Sequence, residues 1–328
     1  MTINTRNLVW NKPGFWLGFS LTLILAVALA ACAPAATPTA APAATTAPAA
    51  ASAAAPSGQS NNAGSNNLIL ATTTSTQDSG LLDVLIPMFE KSSGLTVKTV
   101  AVGSGAAITM GQQGNADVLL VHSPAAEKQF MTDGWGKDRA LIMHNDFIIV
   151  GPTADPAKIK GLAVVDAFKV LAAAGAADAT KVQFFGRNDK SGTSVMELSL
   201  WKKAAVDPVG AKAAWYASTG QGMGQTLTLT SQKAGYTITD RATYLANKDK
   251  LQLDILVQGD KSLLNVYHVI TVNSDKWPKV NYTGAMTFLK YMTDPTTQDF
   301  LSKFGVDKYG QPLFFPDSTK TDADLGLN

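Results

Sequence analysis

The chain has 328 residues, 46% of them hydrophobic and 16% charged, with 27 Lys and Arg against 25 Asp and Glu. A formal net charge of +2 with no run of like charge leaves no basic patch, so no nucleic-acid partner is expected. The single cysteine, Cys32, excludes an intrachain disulfide, and three histidines at scattered positions make no zinc spacing, so neither a metal nor a cofactor is expected.

Arg6 and Lys12 are the only charges ahead of an apolar run, residues 15–31, that closes with Leu29-Ala30-Ala31-Cys32. A basic start, an apolar middle and small residues before a cut site make residues 1–31 an export signal. The ending resembles the lipobox of bacterial lipoproteins, which implies that Cys32 is lipidated and anchors the exported chain to the outer face of the cell membrane. Residues 33–67 are Ala, Pro, Thr, Ser, Gly, Asn and Gln, with no charge and no large apolar side chain. Such a segment has nothing to bury, so residues 32–67 are expected to form a disordered, extended tether. With Arg6 and Lys12 gone, the remaining Lys and Arg balance the 25 Asp and Glu.

From Asn67 the chain alternates strand-like and helix-like segments over about 260 residues, an α/β pattern of one large domain or two modest lobes. Leu68-Ile69-Leu70-Ala71 predicts a strand that runs into Thr72-Thr73-Thr74-Ser75-Thr76. A helix follows, with Leu81, Leu82, Leu85, Ile86 and Phe89 on its apolar face and Gly94 at its end. Residues 96–102 predict a second strand opening through Gly103-Ser104-Gly105 into a short helix, and residues 117–121 a third strand. Open parallel sheets bind ligands where strands run into such turns. The apolar runs 141–143 and 147–150 lead to Gly151-Pro152, a crossing into a second lobe, and residues 266–272 predict the return strand. The expected division is 68–151 with 267–328 in lobe 1 and 152–266 in lobe 2. Within lobe 2, residues 164–174 and 194–203 predict helices. A glycine-rich turn at 220–224 precedes another helix, and strands follow at 236–239 and 253–257. Helices close the pattern at 283–292 and 297–304.

The stretch Gly186-Arg187-Asn188-Asp189-Lys190-Ser191-Gly192-Thr193 lies between a strand end, residues 182–185, and a helix. The first N–H groups of a helix lack intrahelical partners and carry the positive end of its dipole, so an anion at Ser191-Gly192-Thr193 meets donors already in place. Gly192 allows close approach, the hydroxyls of Ser191 and Thr193 can donate, and Arg187 adds a planar fork suited to a tetrahedral oxyanion. On this stretch alone a capped helix beside a solvated arginine is the other reading.

Several motifs in order carry a resemblance. The run 71–80 (Ala-Thr-Thr-Thr-Ser-Thr-Gln-Asp-Ser-Gly), the segments 116–122 and 145–152, the turn 220–224 and Thr239-Asp240-Arg241 together resemble the tungstate-binding proteins of bacterial ABC importers, over most of residues 68–316. The resemblance implies a two-lobed periplasmic-binding-protein fold of type II, whose lobes close on an oxyanion that a membrane permease then receives. It implies a monomer and no enzyme. In that family, backbone amides, hydroxyls of the Thr-Thr-Ser turn and of a Gly-Thr/Ser-Gly turn, and an Arg six residues before a Thr hold the anion. Here these are Thr73, Thr74 and Ser75, then Ser104 with Gly105, then Arg187 with Ser191, Gly192 and Thr193. Ser104 stands where Thr is as frequent, and Ser194 where His is familiar.

Phosphate is the rival ligand, because residues 187–193 also resemble the Arg-x-Asp-x-Ser-Gly-Thr segment of phosphate-binding proteins. Hydrogen phosphate carries a proton and wants a carboxylate acceptor, whereas tungstate, molybdate and sulfate are fully ionised and want donors only. Phosphate binders supply an Asp after the third strand. Here that place holds Val121-His122-Ser123-Pro124, and Asp189 is expected to orient Arg187, which favours the ionised class. His122 is read as packed or superficial, with lining the cleft the other reading, Trp215-Tyr216 as core, and Asp240-Arg241 as a helix cap with a salt bridge, with contact to the cleft the alternative. A sulfatase or phosphatase would need a nucleophile with a base, or carboxylates around a metal, and no such cluster accompanies the hydroxyl turns.

Overall fold

The structure, a computed structural model, describes residues 64–327. The expected export signal, Cys32 and the tether up to residue 63 lie outside them. In chain order the first half contains β1 (Asn67–Thr73), α1 (Thr74–Asp78), α2 (Leu81–Ser93), β2 (Thr96–Val102), α3 (Ser104–Gln112), β3 (Val118–Val121), α4 (Pro124–Thr132) and β4 (Gly136–Gly151). Next come α5 (Val164–Ala177), β5 (Phe184–Gly186), α6 (Gly192–Lys203), β6 (Tyr216–Ser218), α7 (Met223–Gln232), β7 (Thr237–Asp240), α8 (Arg241–Asn247) and β8 (Asp254–Val257). The chain returns through β9 (Leu264–Val272) to α9 (Tyr282–Thr293), α10 (Pro295–Lys303), α11 (Val306–Tyr309) and β10 (Phe315–Pro316).

The main sheet runs β10-β4-β9-β3-β1-β2. β1 is parallel to both β2 and β3, while β9 is antiparallel to β3 and β4. A near-continuous apolar run suits a strand covered on both faces, and β3 is buried along its whole length. α2 buries the five apolar residues its spacing predicts, and it starts after Gly80 and stops at Gly94, both at positive φ.

The apolar runs 141–143 and 147–150 belong to one strand of 16 residues, β4. Between them stand His144, Asn145 and Asp146, polar enough to suggest a break. Each is instead satisfied from a neighbour: His144 by Asp317, Asn145 by Asn265, Asp146 by Arg241. β4 also changes partners here. Residues up to Asp146 pair with β9, and from Phe147 onward they pair with β7 and β8. Asn145 lies opposite Asn265 at the change.

Apolar side chains gather into separate cores. One lies against the main sheet and takes in α2 and α9, with contributions from α7 and α8. A second surrounds the far half of β4 and is built from α5, α6 and the small β5-β6 sheet. Trp201 is its centre, 1% exposed, with ring centroids 4.4 Å from Phe168, 5.1 Å from Phe184 and 5.3 Å from Trp215. Trp215 is core as the sequence suggests, whereas Tyr216 is only half-buried.

Replacing such a side chain leaves a cavity that its aromatic neighbours cannot refill. Trp201→Ala should lower unfolding free energy by about 3–5 kcal/mol, measured by urea denaturation. A loss under about 1 kcal/mol would mean that this core does not hold the second half of the chain.

Candidate functional site

Three turns meet in one place. The first joins β1 to α1: Thr73 caps that helix, its hydroxyl accepting the Thr76 N–H, and Thr74 and Ser75 form the first turn. The second opens β2 into α3 through Gly103, with Ser104 and Gly105 at the start of the helix. The third is the loop from β5 to α6, where Ser191 is the cap and Gly192 and Thr193 begin the helix. In that loop Asn188 and Lys190 both have positive φ, a conformation ordinarily left to glycine, which turns its carbonyls and amides by tight steps.

The turns touch. The Gly105 N–H donates to the Lys190 carbonyl at 3.2 Å, and a Cβ built on Gly105 would stand 2.9 Å from that oxygen. A Cβ on Gly192 would meet His122 Nδ1 and the His122 carbonyl oxygen, each at 2.7 Å. One on Gly222, in the glycine-rich turn before α7, would reach Thr74 at 3.4 Å. Residues of all three turns are therefore brought to one locus. Several of their groups also have partners within the protein: the Gly105 amide donates to Lys190, Thr73 Oγ1 and Ser191 Oγ accept the Thr76 and Ser194 N–H groups as helix caps, and Ser75 Oγ lies against His122.

The hydroxyls are the informative part. Thr74 Oγ1, Ser104 Oγ and Thr193 Oγ1 are all buried without a hydrogen-bond partner. A buried unpaired polar group costs roughly 1–3 kcal/mol, so three of them at one locus are a standing demand for an acceptor. Arg187, from the third turn, is 2% exposed, and its charge is felt at His122 and at Asp78. Its Nε and Nη2 both donate to Asp189 Oδ2, at 3.1 and 2.6 Å, and Asp189 Oδ1 accepts the Ser191 N–H. Asp189 thus aims the guanidinium and braces the loop, the role its position suggests.

Other carboxylates near the locus have donors of their own. Asp78 Oδ2 accepts the Gly224 N–H at 2.8 Å, at the start of α7. Its pKa is raised by burial, an effect moderated by that amide and by Arg187. Asp240 caps α8 and accepts from the Thr243 N–H and hydroxyl. Burial pushes its pKa up to about 6. Arg241 pairs with Asp146 rather than with Asp240.

His122, read from sequence as packed or superficial, is packed, and it also touches the cradle. Its Nε2 lies 3.1 Å from Ser75 Oγ and 3.2 Å from Thr73 Oγ1. Burial, and then the Arg187 charge, lower its pKa to about 4, so the ring is neutral at neutral pH. Glu197, missed entirely by the sequence reading, sits behind Arg187 on α6, 1% exposed. Its Oε1 accepts from Tyr216 Oη at 2.8 Å and Trp201 Nε1 at 3.1 Å. Burial raises its pKa to about 7, against donors that include the Arg187 backbone amide. Spacing alone offered one signal, since Glu197 and Trp201 are one helical turn apart.

A sheet of parallel and antiparallel strands, with hydroxyl and glycine turns gathered at one locus, is the architecture of a solute-binding protein. The family model for the PBP superfamily domain matches residues 37–296, and the chain belongs to that superfamily. Among curated relatives, a tungstate-binding protein TupA from Peptoclostridium acidaminophilum is 46% identical over 253 residues, 77% of this chain and 86% of that protein. Among solved structures, that of the tungstate ABC transporter from Geobacter sulfurreducens is similar with a TM-score of 0.64 and 45% identity, covering 73% of this chain and 98% of that one. The tungstate-binding protein TupA from Desulfovibrio alaskensis G20 gives 0.62 and 44%, covering 77% and 99%.

The raised pKa of Glu197 has a consequence for stability. Between an ordinary value near 4.5 and about 7 the folded protein holds a proton that the unfolded chain has lost. Stability should therefore fall as pH rises across that window and level off above it, by up to about 3 kcal/mol from this group. Glu197→Gln should flatten that part of the profile in urea denaturation between pH 5 and 7.5. Superimposable wild-type and variant slopes would show that Glu197 ionises as freely as an exposed carboxylate.

Proposed function

We propose that the protein is the solute-binding component of an ABC importer, that it captures tungstate, with molybdate as a close competitor, and that it presents the anion to a membrane permease. The observation that carries this reading is the trio of buried, unpartnered hydroxyls of Thr74, Ser104 and Thr193 beside the buried Arg187. A fully ionised tetrahedral oxyanion supplies the acceptors that this set lacks, and it asks for no acceptor in return. The nearby carboxylates of Asp78, Asp189 and Asp240 are engaged by their own donors, which favours tungstate, molybdate or sulfate over hydrogen phosphate. The similarity to tungstate-binding proteins selects among the ionised anions.

In this reading the chain has two lobes, residues 68–151 with 267–328 and residues 152–266. It acts as a monomer, needs no cofactor, and is held outside the cell membrane by lipid on Cys32. Thr73, Thr74, Ser75, Ser104, Gly105, Arg187, Ser191, Gly192 and Thr193 surround the ligand.

One observation speaks for a different class. Ser75 Oγ and His122 Nε2, 3.1 Å apart, have the spacing of a nucleophile and its base. The chemistry does not follow the spacing. An imidazole with a pKa near 4 is a weak base at neutral pH, and Thr73 Oγ1 shares the same nitrogen. Binding, not hydrolysis, is the function these groups support.

Arg187→Ala should weaken tungstate binding on the order of a hundredfold or more, and Thr193→Val about ten- to a hundredfold, in titration calorimetry that also compares molybdate, sulfate and phosphate. Affinity within about threefold of wild type for Arg187→Ala, less than one tenfold step, would remove the site, and preference for phosphate would remove the ligand class. The anchor has its own test. Cys32→Ala should move the protein from the membrane fraction to the soluble exported fraction, and retention after a high-salt wash would rule out a lipid anchor.

A further inference from the structure

His122 joins more than the cradle. Its ring stacks near Tyr267, centroids 4.7 Å apart, and lines a cavity of about 290 Å³ walled by Pro124, Val195, Met196 and Val266. Asn265 lines the same cavity. Two buried polar atoms there lack partners: His122 Nδ1 and Asn265 Oδ1. The rest of the Asn265 amide is fixed, because its Nδ2 donates to Asn145 Oδ1 at 2.8 Å and to Tyr267 Oη at 3.0 Å. The oxygen must then face the other way. Asn265 is close enough to the imidazole to raise its pKa, against the larger effects of burial and Arg187. A proton on Nδ1, donated to Asn265 Oδ1, satisfies both orphans at once.

That choice fixes the other nitrogen. With Nδ1 protonated and the ring neutral, Nε2 is a bare acceptor, and what it accepts is a hydroxyl proton from Thr73 or Ser75. The path then closes on itself. Asn145 Nδ2 contacts Asp240 Oδ1 at 3.3 Å, Asp240 accepts the Thr243 hydroxyl, and Thr243 Oγ1 also lies 3.1 Å from the Ser75 carbonyl. The ring of contacts passes through Asn145 and Asn265, the facing pair where β4 changes partners.

We propose that His122 is a positioning residue of the oxyanion cradle: held as the neutral Nδ1–H tautomer by Asn265, it orients the Thr73 and Ser75 hydroxyls through Nε2 and ties them to β4 and β9 at their crossing. The inference rests on the oxyanion reading of the cradle. It adds a residue whose work is to set which hydroxyl protons remain for the anion, and it explains the need for glycine at 192, where a side chain would displace the ring.

The tautomer is read directly from long-range nitrogen–proton spectra of protein labelled with 15N-histidine at neutral pH, with the His122 signals assigned by their loss in His122→Gln. Nδ1 should be protonated and Nε2 bare; the Nε2–H tautomer, or an imidazolium, overturns the proposal. Affinity for tungstate supplies the second arm. Gln places an amide near the position of Nε2 and should bind within about tenfold of wild type, while Phe keeps the ring, removes the acceptor and should lose about ten- to a hundredfold. A merely structural ring predicts the reverse order, so Phe binding as well as Gln or better overturns the positioning role. Wild-type protein that takes none of tungstate, molybdate, sulfate or phosphate sinks the function and this role with it. Wild type that binds beside an undiminished His122→Phe sinks this role alone.

Discussion

An anion taken out of water must find its hydration replaced, donor for donor, and that constraint orders the site. The hydroxyls of Thr74, Ser104 and Thr193 are buried without a hydrogen-bond partner in the protein, and Arg187 is buried with one carboxylate as counterion. Each is unfavourable by itself. In the proposed function they are together a solvation shell prepared in advance, whose cost is offset by a tetrahedral dianion. Placing them on helix starts adds free N–H groups with little further rearrangement.

The supports of this shell lie in layers behind it. Asp189 aims Arg187, and Glu197 lies under the loop between Tyr216, Trp201 and the Arg187 backbone. A raised carboxyl pKa in that layer is informative about charge. Behind a site that takes a dianion, a second full negative charge would oppose the ligand, and burial keeps Glu197 partly protonated at neutral pH. Burial raises the pKa of Asp240 as well, but only to about 6, so at neutral pH it is mostly ionised and is balanced instead by the Thr243 donors. The field at the cradle is thus biased towards its one buried guanidinium.

How much of this the sequence disclosed depends on the range of the interactions. Thr73-Thr74-Ser75, Gly103-Ser104-Gly105 and Ser191-Gly192-Thr193 were legible because caps and close approaches are local and use few residue types. The helix faces were legible for the same reason, as with the five buried residues of α2. β4 was not readable as one strand, because the satisfaction of His144, Asn145 and Asp146 comes from Asp317, Asn265 and Arg241, distant in sequence. Which partners His122 takes was hidden for a related reason: Ser75 lies 47 residues away. A polar residue whose partners are remote carries no periodic signal, so burial and pairing had to be seen in three dimensions.

The glycines at the contact between turns bear on a different quantity, the time a captured anion stays. Nothing but the missing methyl groups at Gly105 and Gly192 lets the loop 187–193 rest on α3 and on His122. A single extra carbon at either place would act as a wedge between the walls of the cradle, against the Lys190 carbonyl at Gly105 and against His122 at Gly192. Most changes at an interface appear in the rate of escape, so the two glycines bear on residence as well as on donor placement. In the proposed function, where the anion must also be given up, the close packing at these two glycines thus bears on release as well as on capture.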